Sequence, residues 1–120
     1  MSIRDTLKDI VDNVEGALAA MIMAYDGIPV DEITVPQSGF DLQSLSVEYA
    51  TVLKEIKRAA ELVKAGAMEE VSITTNQTRV ALRVLNEDLF TVLIMTRDGN
   101  FGKGRYLLRL KGYDLARELA

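Results

Sequence analysis

Several groups of side chains in this sequence have types and spacings that could do chemistry. Gly99, Gly102 and Gly104, with Lys103 and Arg105, lie where a loop enters a helix, and free backbone amides at a helix start bind phosphate. Their spacing fits neither G-x-x-x-x-G-K-[ST] nor G-x-G-x-x-G. The glycines are therefore expected to form a tight turn whose backbone packs closely on its neighbours. Lys103 and Arg105 oppose the dipole of the helix they open, which leaves an anion contact as the rival reading. Arg105 and Arg109 share one side of that helix. They are expected to pair with Asp5, Asp9 and Asp12 of the first helix; the alternative is a secondary contact face for an acidic partner. The chain holds 18 Asp and Glu, but no two are spaced in a way that argues for acid–base work, so a solvated surface is the default. Met21, Met23, Met68 and Met95 read as core filler.

The absent residue types exclude more than the present ones offer. The chain has no Cys and no His. That removes thiol nucleophiles, Cys-based metal sites, imidazole bases and Ser-His-Asp triads. No cofactor, metal or catalytic residue is expected. The sequence pI of about 4.8 argues against nucleic acid, which needs a dominant basic field. Charge is uneven: residues 1–50 carry net −7, and residues 97–117 carry net +4. The longest apolar run, Ala17 to Tyr25, is too short for a membrane-spanning helix. The charged N-terminus is no signal peptide, so a cytoplasmic chain without membrane insertion is expected.

The elements that would position these groups follow from periodicity. At 120 residues one domain, 1–120, is expected. Ser2 can cap a helix to about Glu15, with Ile3, Leu7, Ile10, Val11 and Val14 as its apolar stripe. Ala17–Tyr25 is apolar throughout, as a strand covered on both faces must be. Asp26-Gly27 is a hairpin turn, and Ile28–Val35 returns beside it as an edge strand because Pro29 cannot donate to a ladder. Pro36–Asp41 reads as a loop. A long helix then runs from Leu42 or Ser44 to Ala65, with Leu45, Tyr49, Val52, Leu53, Ile56, Ala59, Ala60 and Val63 as its stripe. Glu69–Thr75, Thr78–Leu85 and Leu89–Thr96 read as three strands joined by hairpins. A helix from about Lys103 to Leu119 closes the chain. The two all-apolar strands belong in the middle. That gives one five-stranded antiparallel sheet in the order 2-1-5-4-3, the long helix on one face and the terminal helices on the other.

Strand Glu69–Thr75 would be the other edge, and no Pro or Lys blunts its middle. Such an edge is normally covered or paired. A two-fold mate could pair with it, edge to edge, while the long helix packs on its own copy. The dimer interface is placed at Val71, Ile73 and Thr74 of the strand and Val52 and Ala59 of the helix.

Gly16-Ala17 opening the first strand, Tyr25-Asp26-Gly27-Ile28 at the first hairpin, and Asn100-Phe101-Gly102-Lys103-Gly104-Arg105 entering the last helix resemble, in this order, the Roadblock/LC7 family and its MglB-like branch. The resemblance covers nearly the whole chain. It implies a profilin-like α/β/α sandwich, dimerisation, and a non-catalytic role as regulator or scaffold of a Ras-like small GTPase. It implies a partner surface for the GTP state on Lys54, Lys57, Arg58 and Glu61. Arg79, Arg83 and Arg97 are poor candidates for arginine fingers, because two lie in strands and the third leads into the glycine turn. Any stimulation of GTP hydrolysis would then come from positioning the GTPase's own residues. The alternative is a scaffold subunit with no GTPase partner.

Overall fold

The computed structural model describes residues 2–36 and 41–119; the rest of the expected loop, residues 37–40, lies outside the described residues. In chain order the elements are α1 (Ile3–Asn13), β1 (Ala17–Ala24), β2 (Pro29–Thr34), α2 (Leu42–Leu62), β3 (Glu70–Thr74), β4 (Thr78–Val84), β5 (Leu89–Thr96) and α3 (Phe101–Glu118). They form one antiparallel sheet ordered β2-β1-β5-β4-β3, as the apolar patterning requires.

Two cores lie on the two faces of the sheet. Leu7, Ile10, Val11 and Val14, with Leu108 and Leu115, cover Ala20, Ile22, Ala81, Leu93 and Met95, so α1 and α3 share one face. Leu42, Ala50 and Leu53 of α2 cover Met21, Met23, Val80, Leu82, Phe90, Val92 and Ile94 on the other. β1 and β5 are buried on both sides, which is why neither alternates polar with apolar. The all-apolar run hides two irregularities, one in the β1–β2 ladder between Ile22 and Met23 and one in the β1–β5 ladder. The β1–β5 register shifts between Ala17 and Ala19, a bulge that brings Leu18 and Ala19 to the same core.

Ser2 caps α1 by accepting from the Asp5 amide at 3.1 Å. Asn100 caps α3 by accepting from the Lys103 amide at 3.1 Å, so α3 begins two residues before the expected start. Gly102 and Gly104 therefore lie inside the helix rather than in a turn. A Cβ on Gly104 would stand 2.8 Å from Leu93 Cδ2 and 3.0 Å from Met95 Sδ, so this glycine lets the helix backbone rest on β5.

The helices of the shared face are tied by Lys111 to Asp9 at 2.8 Å. The Lys111 ammonium bonded to Asp9 holds that carboxyl below its usual range. The folded pKa is depressed, so the pair's contribution is present at neutral pH and is lost as pH falls through the carboxylate range. The groups are partly exposed, so the contribution is no more than about 1 kcal/mol. Thermal melts of Asp9→Asn and the parent chain are expected to differ slightly at pH 7 and to draw together as pH falls below the ordinary carboxylate range; a gap that does not change with pH would reject the linkage.

Candidate functional site

At about 100° per residue, α2 has three sides. Leu42, Ser46, Ala50 and Leu53 face the sheet and are buried. Val52, Ile56 and Val63 recur along one flank, and Val52 and Val63 are 49% and 72% exposed. Ala59, on the same flank, is also exposed. The expected apolar stripe is real, but it is wider than its own sheet covers, and its outer part faces solvent.

The opposite flank carries charge. Val47 lies against Gly27, and Lys54 and Lys57 line a hollow with Tyr25, Asp26 and Glu87. This flank therefore faces the end of the sheet where the β1–β2 and β4–β5 turns lie, and the apolar flank is on the other side of the helix. Lys57 is half-buried and engaged within the chain: its ammonium donates to the Glu87 carbonyl at 3.2 Å and stands 4.8 Å from the centre of the Tyr25 ring. Tyr25 also stacks on Phe90, ring centres 5.1 Å apart. Burial pushes the Tyr25 hydroxyl pKa up, and the charges of Glu61 and Glu87 add to the shift. Arg58 pairs within the helix with Glu55 at 3.2 Å. Lys54, Arg58 and Glu61 stay exposed.

β3 is an open edge. Thr75 N–H donates to Thr78 O, and Val84 N–H to Glu69 O, both at 2.9 Å. Antiparallel ladders exchange bonds at every second pair, so the pairs Val71–Leu82 and Ile73–Val80 are the bonded ones between them. The backbone groups of Glu70, Ser72 and Thr74 therefore point outward along the edge. The side chains of Val71 and Ile73 pack toward the α2 core. The five residues placed at a dimer interface thus lie on an open strand edge and on an exposed apolar flank of α2.

The last helix departs from expectation. Arg105 does not pair with the acids of α1. It reaches Glu70 of β3 at 2.6 Å, with Arg83 at 3.9 Å from the same carboxylate. The α1 partner is Lys111, which sequence spacing does not single out. α3 packs against both α1 and β4, and its Arg105 side faces Glu70 on the strand edge while its Lys111 side faces α1. Arg109 lines the hollow beside Glu70 and has no ion-pair partner among the described residues. Arg79 lies 4.1 Å from the centre of the Phe101 ring, with its Nε buried and unpartnered. Among the described residues, no cluster of three or more metal-ligating side chains occurs and no helix is long and apolar enough to cross a membrane.

The chain matches no family model and no curated protein sequence. Solved structures resemble it over nearly its whole length. MglC from Myxococcus xanthus is 42% identical, with a TM-score of 0.72 over 98% of this chain and 99% of that one. A Roadblock/LC7 domain from Streptomyces avermitilis gives a TM-score of 0.83 at 10% identity, over 99% and 98% of the two chains. The gliding protein MglB from Thermus thermophilus also gives 0.83, at 16% identity, over 96% of this chain and 86% of that one; MglB in a tetrameric arrangement gives the same TM-score and identity. The Streptomyces domain and MglB share the fold with this chain; MglC shares sequence as well.

Proposed function

We propose a function from one premise: this chain belongs to the Roadblock/LC7 family. It acts as a non-enzymatic homodimeric adaptor that binds a Ras-like small GTPase. The observation that carries the reading is an open β3 edge together with two exposed flanks of α2, one apolar, the other charged and turned toward the β1–β2 and β4–β5 turns. A second copy covers the first flank and pairs its β3 with this one. The dimer then presents Lys54, Arg58 and Glu61 twice, related by the two-fold axis. Self-association accords with the tetrameric arrangement of MglB, and a cytoplasmic role in cell polarity or motility accords with MglB being a gliding protein.

The partner surface selects the GTP state. A small GTPase holds its switch loops in order only while the γ-phosphate and Mg²⁺ are bound, so a surface complementary to those loops favours that state. Stimulation of hydrolysis, where it occurs, comes from positioning the GTPase's own residues. Arg79 is stacked on Phe101 and Arg83 is turned toward Glu70, which leaves neither extended as a finger.

The test is binding of the full chain to its cognate GTPase loaded with GDP or with a non-hydrolysable GTP analogue. Tighter binding to the analogue is expected. Lys54→Glu and Arg58→Glu should each weaken it several-fold at low salt, mostly through the association rate, and leave the dimer intact. Equal affinity for both nucleotide states rejects state selection. No binding at all favours a scaffold subunit without a GTPase partner.

A further inference from the structure

α3 presents to solvent two features that its own fold does not use. The first is an apolar ridge. Tyr106, Leu110 and Tyr113 recur at i, i+4 and i+7 and are 52%, 47% and 65% exposed. The buried side of the helix is supplied by Gly104, Leu108, Gly112 and Leu115, so the ridge is surplus to the core.

The second feature is positive charge on an acidic chain. Lys103, Arg105, Arg109, Lys111 and Arg117 stand against Asp114 and Glu118 along α3, while the whole chain is net −4. Lys111 is engaged by Asp9 and Arg117 by Asp114. Two of the others converge with Arg83 of β4. Arg83, Arg105 and Arg109 line a hollow of about 250 Å³ with Tyr106 at its rim, and Glu70 is the one carboxylate there among the described residues. Three guanidinium groups thus face one acid. The first turn of α3 holds no acid of its own, although a negative group is favoured at that end of a helix.

We infer that this face docks an acidic amphipathic segment of another protein. Its apolar residues sit on the Tyr106–Leu110–Tyr113 ridge, and its carboxylates enter the Arg83–Arg105–Arg109 hollow, where guanidinium groups bind carboxylate in a fork. Tyr and Arg are the residue types that anchor protein interfaces. Charge selects the occupant. A second copy laid on this ridge would bring like charges together, which costs affinity, and a net-negative chain lacks the broad field that nucleic acid needs. The face lies across the sheet from α2, so the inference stands apart from the GTPase reading, and both contacts can be occupied at once.

The probe is a fluorescently labelled peptide of about 18 residues, long enough to form a helix on binding, with Leu at i, i+4 and i+7 and Glu on its flanks. Fluorescence anisotropy with the full chain is expected to show saturable binding that weakens as salt rises. Arg109→Glu and Leu110→Asp alter exposed side chains and should each weaken binding at least about tenfold, with thermal melts unchanged. Arg58→Glu, on α2, should leave peptide binding intact. Four outcomes overturn the inference: no saturable binding, equal binding of a scrambled or Lys-for-Glu peptide, unaltered binding in both α3 variants, or a lower solution mass for Leu110→Asp, which would give the face to a second copy.

Discussion

Ser72→Pro is expected to convert the proposed dimer into a folded monomer, whereas Ile73→Pro one residue along should damage the fold itself. The distinction comes from the ladder. Ile73 sits opposite Val80 at a bonded pair of β3 and β4, so a proline there strips a donor from the buried backbone of β4 whether or not the edge is paired. That costs about 1–3 kcal/mol for the orphaned carbonyl alone. The Ser72 amide points away from β4. Proline is tolerated on an edge strand when its missing N–H would have faced solvent, so the isolated protomer should lose less than about 1 kcal/mol. In a two-fold edge pairing through β3 the outward Ser72 N–H faces the other strand, so each copy loses a donor and gains a ring against its partner. Two lost bonds of about 1.5 kcal/mol each weaken the dimer by roughly 100-fold. Light scattering with a denaturant melt reads both effects. A Ser72→Pro chain that stays dimeric at micromolar concentration would remove β3 from the interface, and Val71, Ile73 and Thr74 with it.

The expected apolar stripe of α2 shows what a sequence can and cannot convey. Periodicity identifies the stripe, but a stripe this wide does not say which of its members meet their own sheet. Leu53 turns inward and Val52, its neighbour, does not. The surplus is visible only once the sheet is placed beneath the helix. Strand order is legible for the opposite reason: β1 and β5 are apolar on both faces, and only central strands can be. The same uniformity conceals the bulge at Leu18, since a run without alternation carries no phase to break.

The start of α3 is hard to read from sequence because local preference and tertiary need conflict there. Glycine in a helix interior costs about 1 kcal/mol relative to alanine, so Gly102 and Gly104 look like a loop. The close approach to Leu93 and Met95 at Gly104 overrides that preference. The Arg105–Glu70 pair is illegible for a further reason: 35 residues separate the two, and nothing in either segment says which side of α3 faces β3 and which faces α1. The α2 surface at Lys57 is hidden in the same way, because its partners, Tyr25 and Glu87, lie on two different hairpins.

Gly16→Ala is expected to be among the most damaging single changes in the chain, far more so than Gly66→Ala. Both glycines hold positive φ, +87° and +101°, and alanine in that region costs about 1–2 kcal/mol in either place. Space separates them. A Cβ on Gly66 meets nothing within 4 Å, while one on Gly16 would stand 2.6 Å from the Gly99 Cα and 2.5 Å from the Thr96 hydroxyl. The backbone at Gly99 cannot swing aside like a flexible side chain. It is pinned where Asn100 N–H donates to Glu15 O at 2.9 Å and Thr96 N–H to Gly16 O at 2.8 Å. This crossing joins the α1–β1 turn to the β5–α3 turn and seats Asn100, the cap of α3. Forcing it apart adds about 1–3 kcal/mol of overpacking to the strain, for a total of about 3 kcal/mol or more. In a domain of this size that lowers the melting temperature by about 10 °C, against a few degrees for Gly66→Ala. Loosening the crossing also frees the start of α3, so Gly16→Ala should weaken the Arg105–Glu70 contact and binding at the α3 ridge, which Gly66→Ala should leave unchanged. Calorimetric melts of the two variants decide the matter: equal losses would mean that backbone strain alone, and not the contact between the two turns, fixes glycine at position 16.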